Sequence, residues 1–265
     1  MEVLDEEFSD VVRYIENHRH IKIEDKENEF NWVMDVVKLF KRIDSDSSIL
    51  EIGTGIGWFP IMCSLKGLKC KGLEISPSLV EYAKELGAQY GVVPEIELGS
   101  IEDADIGKGQ YDFIHASSVF EHVKNWEPAL VKVYNALKPG GLFYFVSTNK
   151  FSLHSGEYKF PLYGWLPDKW RYALRVKRQG ADIMKLGIDF NQFTYWQLRR
   201  TFRSIGFNPI YDYLQYKFIA DPTLSLTKNH MKRFVLRVIK AFPPARWTAL
   251  TFLRNTAFVC IKPES

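Results

Sequence analysis

Ile49-Leu50-Glu51-Ile52-Gly53-Thr54-Gly55-Ile56-Gly57 is a short apolar run broken by three alternating glycines, and the next apolar segment ends in Glu74. The run has the length and composition of a buried strand. Glycine tolerates positive φ and lets backbone approach a ligand closely, so the break reads as a tight turn against a bound group. The following Trp58-Phe59-Pro60-Ile61-Met62-Cys63-Ser64-Leu65 suits a helix whose unpaired N–H groups face that group. Lys69-Cys70-Lys71-Gly72-Leu73-Glu74-Ile75 then reads as a second strand tipped by a carboxylate. In nucleotide-binding α/β units an acid at this place accepts hydrogen bonds from ribose hydroxyls.

Outward from this stretch, strands and helices alternate. Ser76 is placed to cap a helix with Pro77 at its first position, running to about Tyr90. Glu95–Leu98 and Tyr111–Ala116 read as a third and fourth strand, and Leu142–Ser147 as a wholly apolar fifth. A helix from about Pro128 to Leu137 stops at Lys138-Pro139-Gly140-Gly141. Upstream, residues 4–18 and 28–43 carry helical periodicity, with Tyr14, His18 and His20 candidates to face a pocket. Such alternation implies a parallel sheet covered on both faces, with ligands beyond the carboxyl ends of its strands. Glu51–Gly57, Glu74–Ile75, Ser100–Glu102 and Ala116–Ser117 all fall at those ends.

Alternation lapses after Thr148. Residues 150–190 interleave Phe151, Tyr158, Phe160, Tyr163, Trp165, Trp170 and Tyr172 with Lys159, Lys169, Arg171, Arg175, Lys177 and Arg178. It resumes with a helix from Thr194 to Ile205, a strand from Phe207 to about Ile219 and a last strand at Asn255–Lys262. Between these, Met231, Phe234, Val235, Val238 and Phe242 share one helical stripe, flanked by Lys232, Arg233, Arg237 and Lys240. The spacing fits core packing first, and otherwise a partner groove or a membrane surface.

Charge divides the chain in the same place. Residues 1–149 hold 15 Lys+Arg against 25 Asp+Glu, net −10, and residues 150–265 hold 20 against 7, net +13. The basic half is expected to meet something anionic. Cys63, Cys70 and Cys260 lack metal-ligand spacing and read as buried reduced thiols; no metal is expected. The acidic start carries no secretory pattern, and no window is apolar enough to span a membrane, so a cytoplasmic protein with peripheral membrane contact is the expectation.

Taken in order, Leu50–Gly57, Glu74, Phe120-Glu121-His122-Val123 and Leu137-Lys138-Pro139-Gly140-Gly141 resemble the signatures of class I S-adenosylmethionine-dependent methyltransferases, the group that includes the ubiquinone-biosynthesis O-methyltransferases. The resemblance covers roughly residues 30–149, 194–219 and 255–263. It implies a Rossmann-like, doubly wound seven-stranded sheet with an antiparallel last strand, helices on both faces and added basic aromatic insertions. One domain is expected: N-terminal helices to residue 48, a cofactor-binding core at 49–149, and substrate-side insertions at 150–193 and 220–254. By the same resemblance S-adenosylmethionine would contact Glu51, Gly53, Thr54, Gly55 and Gly57, with Glu74 and Ile75 at its ribose. Ser100, Ile101 and Glu102 would edge the adenine, and Ala116 and Ser117 the methionine moiety. Relatives commonly have Gly-Asp where this chain has Gly99-Ser100, so the usual acidic contact to the adenine amino group is either absent or passes to Glu102 or Asp103.

A weaker resemblance, carried by residues 148–153, 164–167 and 193–195, is to methyltransferases of polysaccharide and glycolipid assembly. It implies a small or lipid-linked, sugar-like hydroxyl acceptor. Methyl transfer to a hydroxyl needs alignment, a dry pocket and a proton acceptor. His122 is the first candidate base, with a structural histidine bonded to backbone as the alternative; His154 and Glu157 are the second. A nicotinamide dehydrogenase is disfavoured because Trp58 stands where its fingerprint has a final glycine. A nucleic-acid methyltransferase, suggested by the basic aromatic insertion, is disfavoured because this chain has no Asn/Asp-Pro-Pro-Tyr-type motif and no cysteine placed for base chemistry; a non-catalytic binding protein of the same fold is the remaining rival.

Overall fold

In a computed structural model, residues 11–153, 161–181, 188–221 and 230–264 are described. Seven strands form one sheet in the order β3-β2-β1-β4-β5-β7-β6. They are β1 (Ser48–Ile52), β2 (Lys69–Glu74), β3 (Glu95–Leu98), β4 (Tyr111–Ser117), β5 (Leu137–Thr148), β6 (Ile210–Asp212) and β7 (Asn255–Ile261). The first five pair in parallel, and β7 runs antiparallel between β5 and β6. This is the Rossmann-like sheet expected, antiparallel strand included.

Strand side chains alternate between two cores, which is why the sequence shows continuous apolar runs. Ile49, Phe113, Leu142, Tyr144 and Val259 face one side, with Phe30, Val37 and Phe59 from α2 (Glu27–Lys38) and α3 (Trp58–Leu65). Leu50, Ile114, Phe143, Phe145 and Phe258 face the other. There they meet Leu130 and Val133 of α5 (Trp126–Ala136) and Leu198 and Phe202 of α7 (Tyr195–Ile205). Helix α1 (Val11–His18) and α4 (Pro77–Gln89) complete the N-terminal half; Ser76 Oγ accepts the Leu79 N–H at 3.2 Å, capping α4 as expected.

Three expectations are corrected. The strand expected from Phe207 to Ile219 is only Ile210–Asp212, because Asp212 caps a new helix, α8 (Tyr213–Ala220), in a reciprocal capping box with Gln215. Lys138-Pro139-Gly140-Gly141 ends α5 but is not a loop. It opens β5, with Gly140 donating to the Lys262 carbonyl and Lys262 to the Gly141 carbonyl. The stretch 228–254 holds two helices, α9 (His230–Ala241) and α10 (Pro243–Phe252), and the α9 stripe turns away from the core: Met231, Phe234, Val235 and Phe242 are exposed. The remaining helix, α6 (Asp168–Gln179), lies in the first basic insertion.

Candidate functional site

Chain order reverses beside β1, which pairs with β2 on one edge and β4 on the other. A crevice opens at the carboxyl ends there. Gly53, Gly55 and Gly57 all have positive φ, at 68°, 56° and 75°. Their surroundings differ. A Cβ on Gly53 would lie 2.2 Å from Val119 Cγ2, and one on Gly55 would lie 3.4 Å from the Tyr14 hydroxyl. Both neighbours are side chains arching over the turn. A Cβ on Gly57 would lie 2.5 Å from Ala83 Cβ, so this glycine lets the start of α3 pack on α4.

Glu74 closes the turn from the β2 side. Its Oε2 accepts the Gly55 N–H at 2.7 Å, and its Oε1 accepts the N–H groups of Ile75 at 3.0 Å and Ser76 at 3.1 Å. Burial pushes its carboxyl up to about 7, against the pull of those N–H donors. Below it, Glu51 accepts from Thr54 Oγ1 at 2.5 Å and from His115 Nδ1 at 3.1 Å. Burial raises the Glu51 carboxyl too, partly offset by His115 and Thr54. Two buried acids thus lie beneath one glycine turn.

The other strand tips complete the rim. Ser100 Oγ accepts the Glu102 N–H at 3.2 Å, and Ile101 is buried. The Glu102 Oε1 atom accepts both the N–H of Asn125 at 2.9 Å and its Nδ2 at 2.8 Å, tying the β3 tip to α5. Ala116 is fully buried between Ile52 and Phe145, and Ser117 is exposed at the end of β4.

Beyond β4 the chain meets the insertion. His122 Nδ1 donates to the Ile188 carbonyl at 3.1 Å, which makes Nε2 the basic atom of the ring. The backbone bond expected of a structural histidine is therefore present, and it also orients the ring. Asn191 clamps the same loop, donating from Nδ2 to the Phe120 and Val123 carbonyls. Beside them Glu121 is fully buried and accepts from Ser147 Oγ at 2.8 Å. Arg171, also fully buried, pairs with Asp189, which takes the Tyr163 hydroxyl at 2.9 Å as well. His154 and Glu157 lie outside the described residues.

The structure thus gathers the 51–57, 74–75, 100–102 and 116–117 segments at one end of the sheet. Three participants escaped the sequence reading. His115 was an ordinary strand residue until β4 paired with β1, placing it opposite Glu51. Val119 and Ser147 had no signal beyond adjacency to strand ends. Among the described residues no cluster of His, Cys, Asp and Glu is arranged to hold a metal ion.

Comparison with known proteins gives a family. The model described as a methyltransferase domain matches residues 26–210. The ubiquinone biosynthesis O-methyltransferase of Methylobacterium sp. (strain 4-46) is 26% identical over 126 residues, 45% of this chain and 49% of that protein. The chain spans from about a third to about two thirds of the length of the curated relatives it matches. Among solved structures, a putative sarcosine dimethylglycine methyltransferase from Galdieria sulphuraria aligns with a TM-score of 0.59 at 14% identity, over 97% of this chain and 98% of that one. Haemonchus contortus phosphoethanolamine N-methyltransferase 2, in complex with S-adenosyl-L-methionine, aligns at 0.55 and 16%, over 88% of this chain and 52% of that one. With the glycine turn, the buried acid at the β2 tip and the antiparallel β7 in place, the chain belongs to the class I methyltransferase family.

Proposed function

We propose that this protein is an S-adenosylmethionine-dependent methyltransferase acting on a hydroxyl of a small or lipid-linked, sugar-like acceptor. The observation that carries the reading is Glu74, a buried carboxylate at the β2 tip one hydrogen bond from the Gly55 backbone. Its Oε2 accepts one N–H and retains a lone pair for a ribose hydroxyl, whereas Oε1 already accepts two N–H groups. Gly53, Thr54, Gly55 and Gly57 would line the methionine and ribose side, with Ile75, Ser100, Ile101 and Glu102 around the base and Ala116 and Ser117 near the methyl group. A cationic cofactor beside Glu51 and Glu74 would favour their ionised forms against the burial that raises both carboxyls. Family membership and the cofactor in the Haemonchus structure support this choice.

When bound, the cofactor supplies an already activated methyl group. What remains for the chain is to align the acceptor, exclude water and take a proton, and alignment is the largest of these effects. His122, whose ring is oriented by the Nδ1 bond to the Ile188 carbonyl, would receive the acceptor's proton. Oxygen as the accepting atom is supported by the O-methyltransferases among the curated relatives, whereas the Haemonchus enzyme is named for transfer to nitrogen. In this reading residues 49–149 hold the cofactor, 150–193 and 220–254 form the acceptor side, and the protein is cytoplasmic with peripheral contact to an anionic membrane surface.

Titration calorimetry with S-adenosylmethionine tests the first half, and absence of heat at millimolar concentration would end it. Incubation with methyl-labelled cofactor and paired hydroxyl- and amine-bearing acceptors tests the second. Label appearing only on amines would overturn the hydroxyl assignment.

A further inference from the structure

Helix α9 is apolar on the side where a soluble helix should be polar. Met231 is 78% exposed and Phe234 69%, with Val235 and Phe242 also open to solvent. Ile239 of α9 packs against the core, and Lys240 lies over the Phe218 ring. Exposed contiguous apolar surface of this kind marks an interaction face. Exposed aromatic rings also occur on the neighbouring elements: Trp247 of α10 meets Trp196 of α7 edge-on at 5.4 Å, both half exposed. Phe252, at the end of α10, stacks on Trp165 at 6.2 Å, with Leu153 and Leu162 exposed nearby in sequence.

The same part of the chain is basic in sequence. No Asp or Glu occurs between Asp221 and Glu264, a stretch that holds Lys228, Lys232, Arg233, Arg237, Lys240, Arg246, Arg254 and Lys262. Beside Trp196, the side chains of Arg199, Arg200 and Arg203 line a cleft of about 300 Å³. Apolar and aromatic residues on one face with Lys and Arg beside them form the pattern of a helix lying in a bilayer interface. Tryptophan suits the headgroup level, and arginines suit lipid phosphates.

The face also has a position. Asn149, the first residue after β5, donates from Nδ2 to the carbonyls of Leu250, Thr251 and Leu253. The end of α10 is therefore pinned at the carboxyl ends of the strands, the same end as the glycine turn and Glu74.

The geometry points to α9, α10, the 151–153 and 162–165 segments and the α7 arginine cleft as one docking face for an anionic lipid bilayer, oriented so that the acceptor side of the crevice opens towards the membrane. This deepens the methyltransferase reading and rests on it for the identity of the crevice. It makes the acceptor an amphiphile presented from the lipid surface rather than a freely diffusing sugar. No helix of the described residues is long and apolar enough to cross a membrane, so the contact is peripheral.

Cosedimentation of the whole protein with vesicles is the test. Vesicles of phosphatidylglycerol and phosphatidylcholine should bind it at least about tenfold more tightly than phosphatidylcholine alone, and less as salt rises. Phe234→Glu with Phe242→Glu should abolish binding; Arg237→Glu with Arg200→Glu should weaken it about tenfold or more. All four side chains are exposed, so melting temperature and cofactor affinity serve as controls for intact folding. Failure of the folded wild type to bind any vesicle overturns the proposal, as does binding that survives the Phe234 and Phe242 changes. A solution dimer split by Phe234→Glu would assign the face to a second copy, and tighter binding to single-stranded RNA than to vesicles would assign it to nucleic acid; either overturns it. Cofactor titration without vesicles separates the two readings, since its failure removes the methyltransferase assignment and leaves the vesicle result standing.

Discussion

Glu74 Oε2 accepts the backbone N–H of Gly55 at 2.7 Å, so the acid at the tip of β2 and the middle glycine of the turn after β1 hold each other in place. The bond spans two strands that neighbour each other in the sheet. A carboxylate here both shapes the turn and presents its remaining lone pairs to whatever lies on it.

Glu74→Gln is isosteric and removes the charge. Hydrogen bonds to a charged group contribute about 1.5–3 kcal/mol each, so S-adenosylmethionine affinity should fall by roughly 10- to 150-fold. Titration calorimetry reads this directly. Unchanged affinity would show that the ribose lies elsewhere.

The same residue predicts a pH dependence. Its carboxyl is raised from 4.5 to about 7 in the folded protein, chiefly by burial. Stability from holding this proton is therefore full below pH 4.5 and is lost as pH rises to about 7. The loss is on the order of 3 kcal/mol for this one group. Glu51, raised in the same direction, adds to it. Thermal melts of the cofactor-free protein should show the wild type losing stability over this range relative to Glu74→Gln. Parallel curves would contradict the assigned burial.

Gly57→Ala and Gly67→Ala form a matched pair. Both glycines have φ near +70°, but a Cβ at Gly57 meets Ala83 at 2.5 Å whereas one at Gly67 meets nothing within 4 Å. Gly67→Ala should cost only the backbone term, about 1 kcal/mol. Gly57→Ala should cost that plus about 1–3 kcal/mol of overpacking between α3 and α4. Urea midpoints of the two variants check the difference.

Asp189→Asn should loosen the first basic insertion. Asp189 is the buried one of two acids on Arg171 and also accepts from Tyr163 and Gln192, so removing its charge leaves the buried guanidinium with only the exposed Asp168. Breaking such a pair costs about 3–5 kcal/mol. Hydrogen exchange should accelerate in α6 and around residues 188–193 while β1 and β4 stay protected. Uniform acceleration would mean that the insertion and the sheet unfold together.

The parallel sheet was legible because strands buried on both faces leave continuous apolar runs that need no long-range information to recognise. Ser76-Pro77 announced α4 for an equally local reason, a side-chain cap beside a fixed φ. The strand expected at 207–219 failed where two local signals competed. Tyr211, Tyr213 and Phe218 read as strand, but the Asp212–Gln215 capping box starts a helix there. The α9 stripe failed differently. Its periodicity correctly announced a helix, yet periodicity states only that one side is apolar, not whether that side meets core or solvent.

By itself, then, the sequence determined the order of strands and helices as far as β5, the glycine turn with its distant acid, and the basic character of the second half. These depend on local backbone preference and on burial pattern, which adjacent residues carry. Tertiary structure alone decided that His115 faces Glu51, that Val119 and Tyr14 arch over different glycines of one turn, that Asn149 pins α10 beside the crevice, and that the α9 stripe looks outward. Each of these depends on which elements become neighbours in the sheet and on its faces, and that is settled by packing among residues tens of positions apart.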